Sequence, residues 1–130
     1  MKKGIDYRFL ILALVWMSVI FWFSNQSRLF YLPEDWLDFI FKKTSHAAAY
    51  GILWLLWWLA LPRRTWLAGL IAVLYALADE FHQTFVPGRH GQFMDVLIDT
   101  AGIMITMALA HTSGGRQLLS LMLPKSSDAR

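Results

Sequence analysis

The stretch Trp66–Phe85, WLAGLIAVLYALADEFHQTF, decides the fold. Thirteen uncharged residues, Trp66 to Ala78, run straight into Asp79-Glu80 and then His82 and Gln83. Steps of three and four residues keep Ala72, Ala76, Asp79 and Gln83 on one side of a helix. Small residues on that side admit a neighbouring helix, and the polar ones sit above them at one end. The segment therefore reads as a helix surrounded by lipid, with its polar stripe turned toward protein.

Working outward, the same pattern recurs. An apolar run from Phe9 to Phe23 follows Lys2, Lys3 and Arg8, another spans His46 to Leu61 before Pro62-Arg63-Arg64, and a last one runs from Phe93 to His111. The first resembles the start of a secretory signal peptide. It lacks the small residues a peptidase requires, since Phe21-Trp22-Phe23 lead directly into Ser24-Asn25-Gln26, so a retained helix is expected. The expected architecture is all-α: one domain, residues 1–130, with four transmembrane helices at about 8–24, 46–62, 65–85 and 93–111. Residues 112–130 are expected to form a cytoplasmic tail, in which Gln117–Leu123 resembles an interfacial segment.

Of the 130 residues, 57% are hydrophobic and only 16% charged, which argues against a water-soluble domain. There is no cysteine, hence no disulfide framework and no thiolate nucleophile. The net charge of +3 comes from scattered basic residues rather than a stripe, which excludes nucleic acid as the expected partner. Those basic residues orient the chain instead. Lys2, Lys3, Arg8, Arg63, Arg64, Arg116, Lys125 and Arg130 fall on one side of the four spans, and Arg28, Lys42, Lys43 and Arg89 on the other. The richer side is expected in the cytoplasm, with both termini.

The first outer loop carries Pro33-Glu34-Asp35-Trp36-Leu37-Asp38-Phe39-Ile40-Phe41-Lys42-Lys43. Trp36, Leu37, Ile40 and Phe41 share a helical face, which predicts a short interfacial helix opened by Pro33. The run Trp54, Trp57, Trp58, with Trp66, is expected to anchor the inner interface and face lipid. His82, His90 and His111 are read as interface residues, and the methionines as packing.

Spacing sets the depth of the polar groups. Arg8 to Ser24, His46 to Pro62, Arg64 to Glu80 and Asp95 to His111 each differ by 16 positions. That separation corresponds to roughly 24 Å of helix. Ser24-Asn25-Gln26, His46, Asp79-Glu80 with Gln83, and Asp95 are thus expected in one outer layer. Asp99 lies about 6 Å deeper, with His46 and Arg89 as its expected partners. The compact loop Val86–Gln92, containing Pro87, Gly88 and Gly91, is expected to hold Arg89 against Glu80 and Asp95.

Three stretches together carry a resemblance: Lys43-x-x-His46-x-x-x-Tyr50, then Ala78-Asp79-Glu80-Phe81-His82-Gln83-Thr84-Phe85-Val86-Pro87-Gly88-Arg89, then Asp95-Val96-Leu97-Ile98-Asp99-Thr100-Ala101-Gly102. They resemble the VanZ-like family of small bacterial membrane proteins, whose founding member is associated with low-level resistance to the glycopeptide teicoplanin. The resemblance implies a bacterial cytoplasmic-membrane protein and marks Lys43, His46, Tyr50, Glu80, Gln83, Arg89 and Asp95 as motif positions. It also marks position 99, usually Asn in the family, where Asp99 replaces an amide donor with an acceptor that can ionise.

The expected role is an outward polar pocket, lined by those residues and floored by Asp99, for an anionic or glycosylated envelope molecule such as a lipid-linked precursor or a lipid head group. A catalytic reading would use His46, Glu80 and Asp95 as acid–base candidates, although no nucleophile is recognisable. A metal-hydrolase variant of it would use His46, Glu80 and Asp95, with His82 as a further candidate, but Glu80 and His82 lie on nearly opposite sides of their helix, and neither a metal nor another cofactor is expected. A third reading makes the polar residues a cluster that fixes helix register. A transporter is disfavoured because no paired broken helices occur. Oligomeric state is not legible.

Overall fold

The computed structural model describes residues 4–26 and 35–123. Among them the chain is all α, with five helices: α1 (Tyr7–Ser24), α2 (Asp35–Ala60), α3 (Thr65–Gln83), α4 (Phe93–His111) and α5 (Ser113–Met122). Asp6 caps α1 by accepting the Arg8 N–H at 3.0 Å, which satisfies one of the free donors at the helix start. The Asp6 N–H itself donates to the carbonyl of Ala60 at 2.9 Å, so α1 starts where α2 ends.

The helix boundaries match the reading at α1 and α4 and differ at α2. Among the described residues no separate interfacial helix precedes the second long helix. Asp35–Ala60 is one helix of 26 residues. At the usual rise such a helix is about 39 Å long. No proline or glycine interrupts it until Gly51, and Lys42 donates to Asp38 one turn back at 2.6 Å, so nothing breaks the backbone ladder between the two expected elements. Pro33 and Glu34 lie outside the described residues. The first part of the expected tail is likewise helical. In α5, Leu118, Leu121 and Met122 are exposed on one face.

α2 packs against α1, α3 and α4, and α3 packs against α1, α2 and α4. Thus α1 and α4 occupy opposite corners, with α2 and α3 between them. The Trp16 indole N–H donates to the Ala49 carbonyl at 2.9 Å, and the Tyr75 hydroxyl to the Met17 carbonyl at 2.6 Å, tying α1 to both central helices. The α2–α4 seam is closer still. A β-carbon on Gly102 would collide with the backbone of Ala47, whose Cα would be 2.7 Å away, and one on Gly51 would strike Thr106. Only glycine permits this approach, which is how small residues bring helices together where lipid supplies no hydrophobic drive.

The core holds Tyr50, Leu53, Trp54, Trp58, Ala68, Ala72, Ala76 and Ile103. This overturns the lipid-facing assignment of Trp54 and Trp58. Their rings stack at 5.4 Å, and their indole N–H groups donate to the Thr65 carbonyl and hydroxyl, each at 3.2 Å. A buried indole requires an acceptor, and the α2–α3 turn supplies two. Trp66, by contrast, is fully outward.

Polarity is distributed inside out. Trp66 is 81% exposed, Phe81 69% and Ile105 60%, whereas Asp99 is 1% exposed and Asp79 4%. A water-soluble domain rarely presents so much contiguous apolar surface. Two helices, α1 and α4, are long and apolar enough to cross a membrane.

Candidate functional site

Of the residues expected in one polar layer, Ser24, His46, Asp79, Glu80, Gln83 and Asp95 make side-chain contacts at the end of the bundle opposite the Ala60–Arg63 turn, in two groups with Glu80 between them. The first lies between α1, α2 and α3. Asp79 Oδ2 accepts from Ser24 Oγ at 2.7 Å, Tyr50 OH at 2.9 Å and Gln83 Nε2 at 3.3 Å. Gln83 Nε2 also reaches Ser24 Oγ at 3.3 Å. All four side chains are buried, and each of the three helices contributes.

The second group lies between α2 and α4. Lys43 Nζ donates to Asp95 Oδ1. His46 Nδ1 stands 3.5 Å from Asp99 Oδ1, too far for a good hydrogen bond and close enough for an ion pair when the imidazole is protonated. Both atoms are buried without a hydrogen-bond partner. Such orphaned polar atoms are rare in folded proteins and call for an explanation.

Between the groups, Glu80 Oε1 accepts the Gln92 backbone N–H at the entry to α4. Gly91 lies so close beneath Thr84 and the Glu80 carbonyl that a β-carbon would stand 2.9 Å from that oxygen, and Gly88 turns the loop at φ 80°. Glu80 therefore fastens the loop that carries Arg89. The loop does not hold Arg89 on Glu80 or Asp95, as expected from sequence. Those carboxylates are engaged by Gln92 and Lys43, and the Arg89 side chain makes no hydrogen bond or ion pair with a described residue, although its charge is close enough to act on His46.

A family model for VanZ/LLP1 matches residues 9–114. The chain belongs to the VanZ/LLP1 family. The match takes in α1 from Phe9 onward, α2, α3 and α4, and with them every residue of the two polar groups. Comparison with curated proteins and with solved structures finds no match. Family membership and the two apolar helices together point to a membrane protein.

Within this VanZ/LLP1 chain, the eight residues singled out from sequence take different parts. Lys43, His46, Asp95 and Asp99 form the α2–α4 group, while Tyr50 and Gln83 serve Asp79, and Glu80 holds a loop. Asp79 and Ser24 were placed in the polar layer without being counted among the site residues. The signal was present: the Ala72-Ala76-Asp79-Gln83 stripe already turned Asp79 inward, whereas Glu80 sits about 100° around the helix from it. Among the described residues no three histidine or acidic side chains gather closely enough to hold a metal ion.

Proposed function

We propose that the chain is a four-span protein of the bacterial cytoplasmic membrane, with both termini cytoplasmic, whose polar end faces outward. There it binds an anionic, hydroxyl-rich envelope molecule, such as a glycosylated lipid-linked precursor or a lipid head group, and so alters sensitivity to teicoplanin-type glycopeptides. The observation that carries this reading is the contrast between Arg89 and its neighbours. Lys43 is neutralised by Asp95, whereas Arg89 stands without a partner among the described residues, on a loop turned by Gly88 and fastened by Glu80. An unpaired guanidinium suits a phosphate or carboxylate. The unpartnered oxygens of Asp79 and Asp99 suit hydroxyl donors.

The test is glycopeptide susceptibility of a bacterial host expressing the native chain or Arg89→Ala at equal membrane abundance. Loss of the effect in the variant supports the site, and an unchanged effect rejects it. Because the chain lacks cysteine, single-cysteine labelling reads the topology. Labelling at position 90 from outside, and at position 64 only after permeabilisation, is expected. The reverse pattern places the polar end in the cytoplasm and removes the glycopeptide argument.

The His46–Asp99 contact favours a second reading, catalysis on the same head group. A buried carboxylate beside an imidazole is a general-base arrangement, with Asp99 rather than Glu80 or Asp95 as the partner. Mass spectrometry of lipid extracts separates the readings: a changed lipid species with the native chain, absent with His46→Gln, indicates catalysis.

A further inference from the structure

Between α3 and α4, from the Thr65–His111 end to the level of Thr100, runs a groove of about 780 Å³. Its walls are Gly69, Leu70 and Val73 from α3 and Thr100, Ile103 and Met107 from α4. The one hydroxyl among these, Thr100 Oγ1, is already satisfied by the Val96 carbonyl at 2.7 Å, so the groove is apolar along its length. Thr65 and His111 lie at its mouth. From Thr65 to Val73 is about 12 Å of helix, and from Thr100 to His111 about 16 Å. Half of a bilayer's hydrocarbon core is about 15 Å. The groove thus has the length of one leaflet.

The chemistry at the mouth is cationic. Arg63 and Arg64 form the adjoining α2–α3 turn; both are exposed, and neither has an ion-pair partner among the described residues. The Arg63 guanidinium lies over the Trp58 ring at 5.4 Å, and Trp58 lies 5.5 Å from the His111 ring. Attraction to the ring face holds this cation at the groove mouth rather than letting it swing free. Asp6 is the acid at this end among the described residues, and it is paired with Arg8 at 3.5 Å.

We infer that the α3–α4 groove is a binding site for an anionic phospholipid, one acyl chain lying along Gly69–Val73 and Thr100–Met107 and the phosphate meeting Arg63 and Arg64 at the mouth. The inference rests on the membrane reading and is independent of the polar site at the other end. The occupant follows from charge complementarity joined to length: a leaflet-long apolar slot that ends in unpaired guanidinium groups matches a chain that ends in a phosphodiester.

Native mass spectrometry of the full chain, released from nanodiscs of phosphatidylcholine with a minority of phosphatidylglycerol, tests this. Retained phosphatidylglycerol in excess of its share is expected. The double variant Arg63→Gln/Arg64→Gln should lower that retention about thirtyfold, from roughly fivefold per basic residue near a lipid surface. Val73→Phe, which adds bulk to the slot wall at the end away from the mouth, should lower retention of both lipids while helicity in detergent stays near native. Lys42→Gln, a basic residue at the opposite end and outside both sites, should leave retention unchanged, which ties the loss to the Arg63–Arg64 mouth rather than to net charge. Retention blind to head-group charge, retention lost equally in Lys42→Gln, or a dimer that Val73→Phe dissolves would each overturn the assignment.

Discussion

Asp79 and Asp99 are carboxylates buried at the same end of one small bundle, and their surroundings differ in kind. Asp79 receives three donors from three helices on one oxygen. Asp99 has one imidazole nearby, at a distance that leaves both facing atoms without a hydrogen bond. Burial is therefore a poor guide to role. A buried acid whose partners come from several elements is a joint between them, because removing it strands every donor at once. Each of the two acids keeps one oxygen without a partner, but that of Asp99 faces an ionisable ring and no donor holds it in place, which leaves capacity for a proton, a water or a ligand. The polar end of this chain thus combines a joint between three helices with an acid–imidazole pair whose facing atoms have no hydrogen bond.

The sharpest way to break this comparison is to part α2 from α4 beneath the Asp99 group. Gly102→Val drives a side chain into the Ala47 backbone. A loss of about 3 kcal/mol or more is expected, read as a lower midpoint of thermal unfolding in detergent. An unchanged midpoint would mean that the helices approach less closely than they do here. Next in size, Asp79→Ala strands Ser24, Tyr50 and Gln83. It should cost about 2 to 3 kcal/mol, seen as reduced stability and membrane abundance.

Tyr50→Phe removes one of those three donors and keeps the ring, so about 1 kcal/mol is expected in the same assay. A loss as large as that of Asp79→Ala would show the three bonds to act as one unit. The smallest structural effect belongs to Arg89→Ala. With no partner among the described residues, it should change stability by no more than about 0.5 kcal/mol, while the proposed effect on glycopeptide susceptibility disappears. Stability loss comparable to that of Tyr50→Phe would move Arg89 to the fastening side of the comparison.

Much of the fold was legible before any coordinates. The bounds of α1 and α4 follow from apolar runs, and the gathering of Ser24, His46, Asp79 and Asp95 at one end follows from equal spacing in antiparallel helices. The site was legible as a set of residues and not as a set of partners. Lys43 and His46 were expected to join the polar group, yet nothing in their spacing says that Lys43 takes Asp95 and His46 takes Asp99, or that Glu80 is used up by the Gln92 backbone. The tryptophans show the same limit. An indole at the end of an apolar run has two good environments, the lipid interface and a core with an acceptor, and Thr65 across the turn decided between them for Trp54 and Trp58.

By itself the amino-acid order determined that this chain is helical, apolar on its outer faces, and polar toward one end, because rise and periodicity are local properties of a helix. Partner choice belonged to the tertiary structure. It depends on how each helix is rotated against its neighbours, and that rotation is set where Gly51 and Gly102 let α2 and α4 meet, a contact between distant parts of the chain that no local pattern encodes.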